Sequence, residues 1–255
     1  MPEKLIMGLL LIWNVDAVEI VEKEFVAIEK PIVIEGFPSV GLVGAIATEY
    51  LASKLDMREI GFMKSRKLPP VTIVKNGVPK SPIRFYAKDN IVVIVSDTAV
   101  PQSLTYEISD AIVNWALKHS ASKIISLGGI SHQEQAVNKA EVFAVAVDQK
   151  TLDRLTGEGY RTIRLGFLTG VFGILMLECL EKNIEAYGFL ADATIDMPDP
   201  YAAAMVLEAV AKQLNIKLDT KALLETSERI REKMTNLMRQ TRKSLEDVPY
   251  PSIYR

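Results

Sequence analysis

Residues 31–55 read PIVIEGFPSVGLVGAIATEYLASKL, and this stretch decides the fold. Its apolar run Ile32–Ile34 has the length of a β-strand, and glycine and proline residues then interrupt the pattern. From Leu42 to Leu55 the apolar residues recur every three to four positions, which is typical of a helix. The stretch therefore predicts a strand, a glycine turn and a helix.

The glycine turn admits two interpretations. Gly36, Gly41 and Gly44 follow a G-x4-G-x2-G spacing, which is not the G-x-G-x-x-G of dinucleotide-binding proteins. No Lys-Ser or Lys-Thr pair follows, as a phosphate-binding P-loop requires. In the first interpretation, Gly41 and Gly44 let the helix pack closely on the sheet. In the second, the turn of Gly36, Phe37, Gly41 and Gly44 binds a small molecule or an anion at the unpaired N–H groups of the helix start.

A second polar position follows the most apolar strand of the chain. Ile91–Val95 (IVVIV) is a continuous β-branched run, typical of a central strand that is buried on both faces. Open α/β sheets place their ligands at the carboxyl ends of such strands, so Asp97 is the best candidate for a polar site residue. The alternative is that Asp97 caps backbone groups in the connection to the next helix.

Composition indicates an ordinary globular protein. Of 255 residues, 49% are hydrophobic and 24% charged, and the formal net charge of −2 gives no reason to expect nucleic acid or an anionic membrane as partner. Leu5–Trp13 is apolar but too short to cross a bilayer and lacks a small-residue cleavage site. We therefore expect a cytoplasmic protein in which Leu5–Trp13 is a strand or an oligomer contact.

Residue types that would build a disulfide or a metal site are scarce. The chain has a single cysteine, Cys179, which excludes an internal disulfide and reads as a buried, inert thiol because it lies in an apolar run. Two histidines, His119 and His132, stand without a carboxylate cluster. We expect neither a metal nor a cofactor.

A hairpin is predicted in the first half of the chain. Asn76-Gly77 is a common two-residue turn, and it separates the strand-like runs Val71–Val74 and Ile83–Tyr86. Pro79 and Pro82 predict that the return strand is an edge strand or irregular.

Glycines also mark element ends in the second half. Lys123–Leu127 predicts a strand that ends at Gly128-Gly129, and Arg161–Leu165 predicts another strand. Gly166–Gly173 predicts a second glycine turn, which leads into a helix over Ile174–Lys182. We expect the two glycine turns to face one another across the ends of the sheet.

The chain changes character after residue 217. Residues 218–247 are dense in charge, lack Gly and Pro, and carry a thin apolar stripe at helical spacing from Leu223 to Thr241. This pattern predicts a helix laid against a partner surface or another subunit. Prolines in VPYPSIYR then favour an extended tail. We divide the chain into a core domain (residues 1–216), a helical arm (217–247) and a tail (248–255).

The run GFPSVGLVGAIATEYL (residues 36–51) resembles the opening signature of the proteasome assembly chaperone 2 family, with Ser39 where many relatives carry glycine. Ile91–Asp97 and Ile124–Gly129 fit the family as well, and the resemblance spans residues 32–214. It implies an α/β fold, a three-layer α/β/α domain similar to the nucleoside phosphorylase fold. Archaeal members are often labelled ATP-grasp-like, but paired acidic metal ligands beside a phosphate-binding lysine are not recognisable in this sequence.

The sequence ends in Ile253-Tyr254-Arg255, a hydrophobic residue, a tyrosine and any residue. This resembles the C-terminal motif by which proteasome activators and some assembly chaperones dock on the α-ring of the proteasome core particle. A terminal carboxylate can pair with a lysine in an inter-subunit pocket, while the phenol packs flat and the apolar residue fills a groove. Several weak tails on one homo-oligomer would gain effective concentration and bind together.

Two classes of function remain open. The first is a homo-oligomeric, ATP-independent proteasome assembly chaperone or activator, or more generally a scaffold for other client proteins. The alternative is a small-molecule-binding or nucleotide-dependent enzyme of the phosphorylase-like class, with Asp97 between its glycine turns. A nucleophile, a base and an oxyanion donor cannot be assembled from the sequence, so no catalytic residue is assigned.

Overall fold

The computed structural model describes residues 18–23, 28–131, 141–195 and 197–246. The predictions made for Leu5–Trp13, for His132 and for the C-terminal tail fall outside these residues. Within the described ranges, no helix is long and apolar enough to cross a membrane.

Five consecutive strands of the described chain lie between the first two α-helices, and three consecutive helices end it. The strands are β1 (Glu19–Glu22), β2 (Ile32–Gly36), β3 (Arg58–Lys64), β4 (Ile73–Lys75), β5 (Val78–Lys80), β6 (Ile83–Lys88), β7 (Ile91–Ser96), β8 (Lys123–Ile130), β9 (Val142–Ala146), β10 (Arg161–Thr162) and β11 (Ala186–Asp192). The helices are α1 (Val43–Lys54), α2 (Thr105–Lys118), α3 (Gln149–Gly157), α4 (Gly170–Glu181), α5 (Pro200–Leu214), α6 (Lys221–Glu225) and α7 (Ser227–Glu246).

Among the described residues, nine strands form one sheet in the order β1-β3-β6-β7-β2-β8-β11-β9-β10, and β4 and β5 form a separate hairpin. The strand of the opening stretch, β2, lies at the centre, with Val33 between Val92 of β7 and Ile124 of β8. These pairs are parallel, and parallel strands at the middle of a sheet are covered on both faces. This position explains why β2 and β7 are almost continuously apolar.

Helices cover both faces of the sheet. On one face, α1, α3 and α5 pack over a core that includes Ile34 and Ile125, while α2 and α4 pack over Val33 and Ile124 on the other. Successive residues of one strand thus belong to opposite cores, as the pleat of a strand requires. The prediction of a three-layer α/β/α architecture is confirmed. The similarity to the nucleoside phosphorylase fold stays a prediction.

The hairpin prediction was right about the turn and wrong about the return strand. Asn76 (φ 53°) and Gly77 (φ 78°) are both left-handed, as a type I′ turn requires, and they join β4 to β5. The predicted partner Ile83–Tyr86 instead belongs to β6, which pairs with β3 and β7 inside the main sheet. Pro82 stands just before this strand, where its carbonyl accepts the Asp97 N–H at 2.8 Å, so the strand loses no ladder hydrogen bond.

Two element ends predicted at glycines were wrong. Strand β8 continues through Gly128-Gly129, where a Cβ on Gly129 would lie 2.3 Å from the Val40 carbonyl oxygen. Helix α4 begins at Gly170, earlier than predicted, and Gly173 lies within it. A Cβ at position 173 would be 2.3 Å from the Leu168 carbonyl oxygen, so the close packing there requires glycine. These glycines permit close packing and do not interrupt their elements. The strand predicted at Arg161–Leu165 is shorter in the structure and consists of the two residues of β10.

The charged arm forms two helices, α6 and α7. Met234 and Leu237 of the predicted apolar stripe, with the neighbouring Met238, belong to the core of this same chain on the α1 and α5 face. The prediction that the stripe lies against a partner or another subunit was therefore wrong for these residues. Arg231 donates a hydrogen bond from Nε to the Pro198 carbonyl at 3.3 Å. The arm is therefore held against the loop before α5.

Candidate functional site

The glycine turn lies at the carboxyl edge of the central strands, between β2 and α1. Val40–Leu42 form a single 3-10 turn, in which Gly41 (φ 62°) and Leu42 (φ 52°) are left-handed. The Gly41 carbonyl accepts the Asp199 N–H at 2.8 Å, and a Cβ on Gly41 would lie 2.8 Å from the Ala193 Cβ. The loop that follows β11 thus closes over the turn.

Gly36 and Gly44 bring β2, α1 and β8 into backbone contact. A Cβ on Gly36 would lie 2.2 Å from the Gly44 carbonyl oxygen, and one on Gly44 would lie 2.3 Å from the Leu127 carbonyl oxygen, distances that real Cβ atoms essentially never show. The neighbouring Phe37 side chain is buried in the core under α2 and α4. Close packing therefore accounts for both glycines. A ligand role for the turn of Gly36, Phe37, Gly41 and Gly44 stays a prediction.

A carboxylate that our sequence interpretation missed, Glu35, lies in β2 directly before the turn. Its side chain is fully buried on the same sheet face as Val33. Glu35 Oε2 accepts the Phe37 backbone N–H at 3.2 Å, while Oε1 is buried without a hydrogen-bond partner. Burial raises the pKa of Glu35 to about 7, more than the Ser126 hydroxyl and the Phe37 N–H lower it. Near neutral pH the Glu35 carboxyl group is therefore present in both protonation states.

Buried hydroxyl and thiol groups lie around Glu35. Ser126 faces it across the β2–β8 pair, close enough to lower its pKa although the Ser126 Oγ makes no hydrogen bond of ordinary geometry. Ser39 Oγ is also buried without a partner. Cys179 of α4 is a buried free thiol, as predicted, and burial followed by the charge of Glu35 raises its pKa to about 12. We call Glu35, Ser39, Ser126 and Cys179 the buried polar cluster.

The second glycine-rich segment also comes close to this region, where its Phe172 belongs to helix α4 and not to a turn, and the facing of two glycine turns stays a prediction. A Cβ placed on Gly128 of β8 would lie 3.4 Å from the Phe172 ring of α4 and 3.6 Å from Ser39 Oγ. The two segments therefore approach one another over β8.

Asp97 stands two residues after Val95, which pairs with Gly36, so Asp97 and the glycine turn share one edge of the sheet. Its carboxylate accepts a hydrogen bond at 2.5 Å from Nη2 of Arg84, a residue of β6 that is 1% exposed. Burial lowers the pKa of Arg84, but the nearby Asp97 and Tyr86 raise it by more. The Asp97 carboxylate therefore neutralises a buried cation within the chain. A ligand role for Asp97 stays a prediction.

Two cavities in the described part of the chain lie away from the glycine turn. One, of about 530 Å3, lies beside the amino end of β11 and is lined by residues that include Asp148, Arg154 and Glu185. The other, of about 420 Å3, lies between β9, β10 and α5 and includes Tyr160 and Lys212. Among the described residues, no three His, Cys, Asp or Glu side chains cluster in a way that could hold a metal ion.

The fold and the site define a class: a three-layer α/β/α protein with a tightly packed glycine turn above a buried polar cluster. The family model described as the PAC2 family matches residues 33–238. This chain therefore belongs to the PAC2 family.

Solved structures and a curated relative agree with this assignment. Pyrococcus furiosus PbaA, described as an archaeal homolog of proteasome-assembly chaperone, is 35% identical, with a TM-score of 0.84 over 89% of this chain and 99% of PbaA. An uncharacterized protein of Methanocaldococcus jannaschii is 30% identical over 89% of this chain and 93% of its own length. Pyrococcus furiosus PbaB, described as an archaeal proteasome activator, shares the fold at a TM-score of 0.75 and 24% identity, covering 87% of this chain and 99% of PbaB. This chain is thus homologous to PbaA over nearly its whole length.

Proposed function

We propose that this protein is a proteasome assembly chaperone or activator that works in the cytoplasm as a homo-oligomer and without ATP. Its tail residues Ile253-Tyr254-Arg255 dock into pockets of the α-ring of the proteasome core particle. The observation that carries the proposal is the 35% identity to PbaA, the archaeal homolog of proteasome-assembly chaperone, across 89% of this chain. The hydrophobic–tyrosine–any residue tail supports the same function independently.

The geometry of the carboxyl edge favours protein binding over catalysis. The glycine turn is filled by backbone contacts, and the Asp97 carboxylate is paired with Arg84. Glu35, whose pKa is raised to about 7, is fully buried. A general acid or base must come within hydrogen-bond reach of its substrate, and Glu35 does not reach the surface. We therefore prefer the chaperone to the small-molecule enzyme.

The helical arm suits the presentation of a tail. Helix α7 packs on the core domain as far as Met238 and continues for eight residues to Glu246, which corresponds to about 12 Å of helix. The sequence predicts that the eight residues of the tail (248–255) are extended, and eight residues of polyproline II structure would span about 25 Å. The arm and tail together are long enough to place the terminal residues in a pocket while the core domain stays outside it.

A pulldown of an archaeal proteasome core particle tests the proposal. Full-length protein should retain the core particle, and a variant that lacks residues 253–255 should lose it while keeping the oligomeric mass of the parent. Tyr250→Ala is a matched control, because it removes a tail tyrosine outside the terminal motif. Equal retention by the truncated variant would overturn tail docking. Failure of every form to bind would overturn the proteasome assignment itself.

A further inference from the structure

Helix α4 is apolar on every side. Of its twelve residues, GVFGILMLECLE, two are charged. One face packs into the core through Val171, Leu175 and Cys179. The opposite face exposes Leu177 (42%) and Leu180 (54%). A helix with apolar residues all round is normally buried all round, but among the described residues nothing covers the outer face of α4.

The loop before α4 extends this apolar surface. Leu168 lies against Gly173, at the start of the same helix face, because the Cβ position of Gly173 is 3.2 Å from the Leu168 Cβ. Leu165, 83% exposed, and the half-exposed Phe167 precede it. We define the α4 surface by its large apolar side chains: Leu165, Phe167, Leu168, Leu177 and Leu180.

The size of the α4 surface matches one side of a stable protein interface. The exposed parts of its five side chains amount to roughly 500 Å2, as their exposed fractions indicate. A standard interface buries about 800 Å2 per partner, of which somewhat more than half is apolar. The five side chains therefore supply the apolar area that one such interface needs.

Three charged groups beside this surface, Lys182, Asp110 and Glu178, are paired within the chain. Lys182 Nζ lies 2.6 Å from Asp110 Oδ1, 3.2 Å from Asn114 Oδ1 and 3.5 Å from Glu178 Oε2. Because these three charges are paired with one another, they give little electrostatic selectivity for a foreign, oppositely charged partner. The α4 surface resembles the apolar interfaces of permanent assemblies, and most such assemblies consist of copies of one chain.

We propose that the α4 surface is the contact through which copies of this chain form the homo-oligomer. The inference rests on the homo-oligomer of the proposed function and assigns the surface that builds it. Burial in a neighbouring subunit explains why Leu177 and Leu180 are apolar at positions that face solvent in the monomer.

The first experiment measures the mass of full-length protein in solution by sedimentation velocity at micromolar concentration. The L177E/L180E variant should have a lower mass than the wild type. Contact between two α4 surfaces of this variant would bury four carboxylates, two from each chain. V74E/V78E is the matched control, since Val74 (68%) and Val78 (52%) are as exposed but lie on the separate β4–β5 hairpin, and it should keep the wild-type mass. A wild-type mass for L177E/L180E would overturn the proposal.

A second measurement needs no disruptive substitution. A photo-crosslinking amino acid at position 177 is introduced into wild-type protein, and light and 15N-labelled chains are mixed before irradiation. Crosslinks between a light and a heavy chain through the α4 surface support the proposal. Crosslinks within one chain, for example to Leu5–Trp13, overturn it, as does an oligomer that yields no interchain product at position 177. If the wild type is monomeric, the homo-oligomer itself fails, while the proteasome pulldown still tests docking separately.

Discussion

Arg84 and Asp97 form an ion pair between neighbouring antiparallel strands, with 2.5 Å between Arg84 Nη2 and Asp97 Oδ2. Arg84 also donates from Nη1 to the Ser81 carbonyl at 2.7 Å and from Nε to the Tyr86 hydroxyl at 2.9 Å. Glu49 of α1 adds a second carboxylate at 3.8 Å. A buried guanidinium is tolerated because its donors are met by hydrogen bonds and its charge by carboxylates.

Replacement of Asp97 by Asn should lower the free energy of unfolding by about 2–3 kcal/mol, because it leaves a buried cation with the more distant Glu49. Guanidinium chloride titration monitored by circular dichroism measures the change. Asp110→Asn is the control, since Asp110 pairs with Lys182 on the surface and such pairs contribute about 0–1 kcal/mol. Equal losses of unfolding free energy in the two variants would show that the Arg84–Asp97 pair contributes no more to stability than a surface ion pair.

The stability of the protein should depend on pH through Glu35. Folding raises the pKa of Glu35 from 4.5 to about 7, so the folded chain binds this proton more tightly than the unfolded chain does. The contribution of Glu35 to stability therefore falls as the pH rises from about 4.5 to 7 and stays low above that range. The loss amounts to about 3 kcal/mol.

Glu35→Gln removes this titration while keeping the size and polarity of the side chain. The free energy of unfolding of Glu35→Gln, relative to wild type, should increase between pH 4.5 and 7 and level off above pH 7. Denaturant titrations at a series of pH values measure it. Glu181→Gln, at an exposed position at the end of α4, should leave the wild-type pH dependence intact. Parallel curves for Glu35→Gln and wild type would rule out Glu35 as the group responsible.

Local patterns in the sequence were sufficient for the centre of the fold. The strand β2, its turn, α1 and the strand β7 were predicted from apolar spacing, because each is decided by residues that are close in sequence. Partnerships between strands were not predictable in this way. Arg84 and Asp97 meet because β6 and β7 pair in antiparallel register. This register could not be predicted from the residue types of the two strands.

The buried polar cluster was missed for a related reason. Glu35 was given no role, although a carboxylate inside IVIEG is a detectable signal of a buried titratable group. Its neighbour Ser126 is distant in sequence and is placed beside it by the β2–β8 register. Similarly, Gly128-Gly129 was misread as a strand end because the Val40 carbonyl that requires Gly129 comes from the glycine turn.

The glycine turn gives a prediction about packing. Gly44→Ala should cost about 3 kcal/mol or more, because its Cβ would lie 2.3 Å from the Leu127 carbonyl oxygen of β8 and neither backbone can easily move. Gly157→Ala is the matched control, since Gly157 ends helix α3 and its Cβ position has no heavy atom within 4 Å. It should be neutral or stabilising by up to about 1 kcal/mol. Thermal and denaturant unfolding compare the two variants, and similar stabilities would contradict the close-packing interpretation of Gly44.

The proposed tail docking makes a prediction about avidity. A free peptide of residues 248–255, VPYPSIYR, should compete with the full-length protein for the proteasome core particle, because it carries the complete terminal motif. It should do so only at concentrations about 100- to 10,000-fold higher, since a single tail lacks the effective concentration that linked tails gain. The same peptide with a C-terminal amide should compete far less, because it has lost the carboxylate that pairs with a lysine.

Competition binding with a fluorescently labelled full-length protein measures all three affinities. An amidated peptide as potent as the free acid would show that the terminal carboxylate is not recognised, and a free peptide as potent as the full-length protein would show that binding is not multivalent.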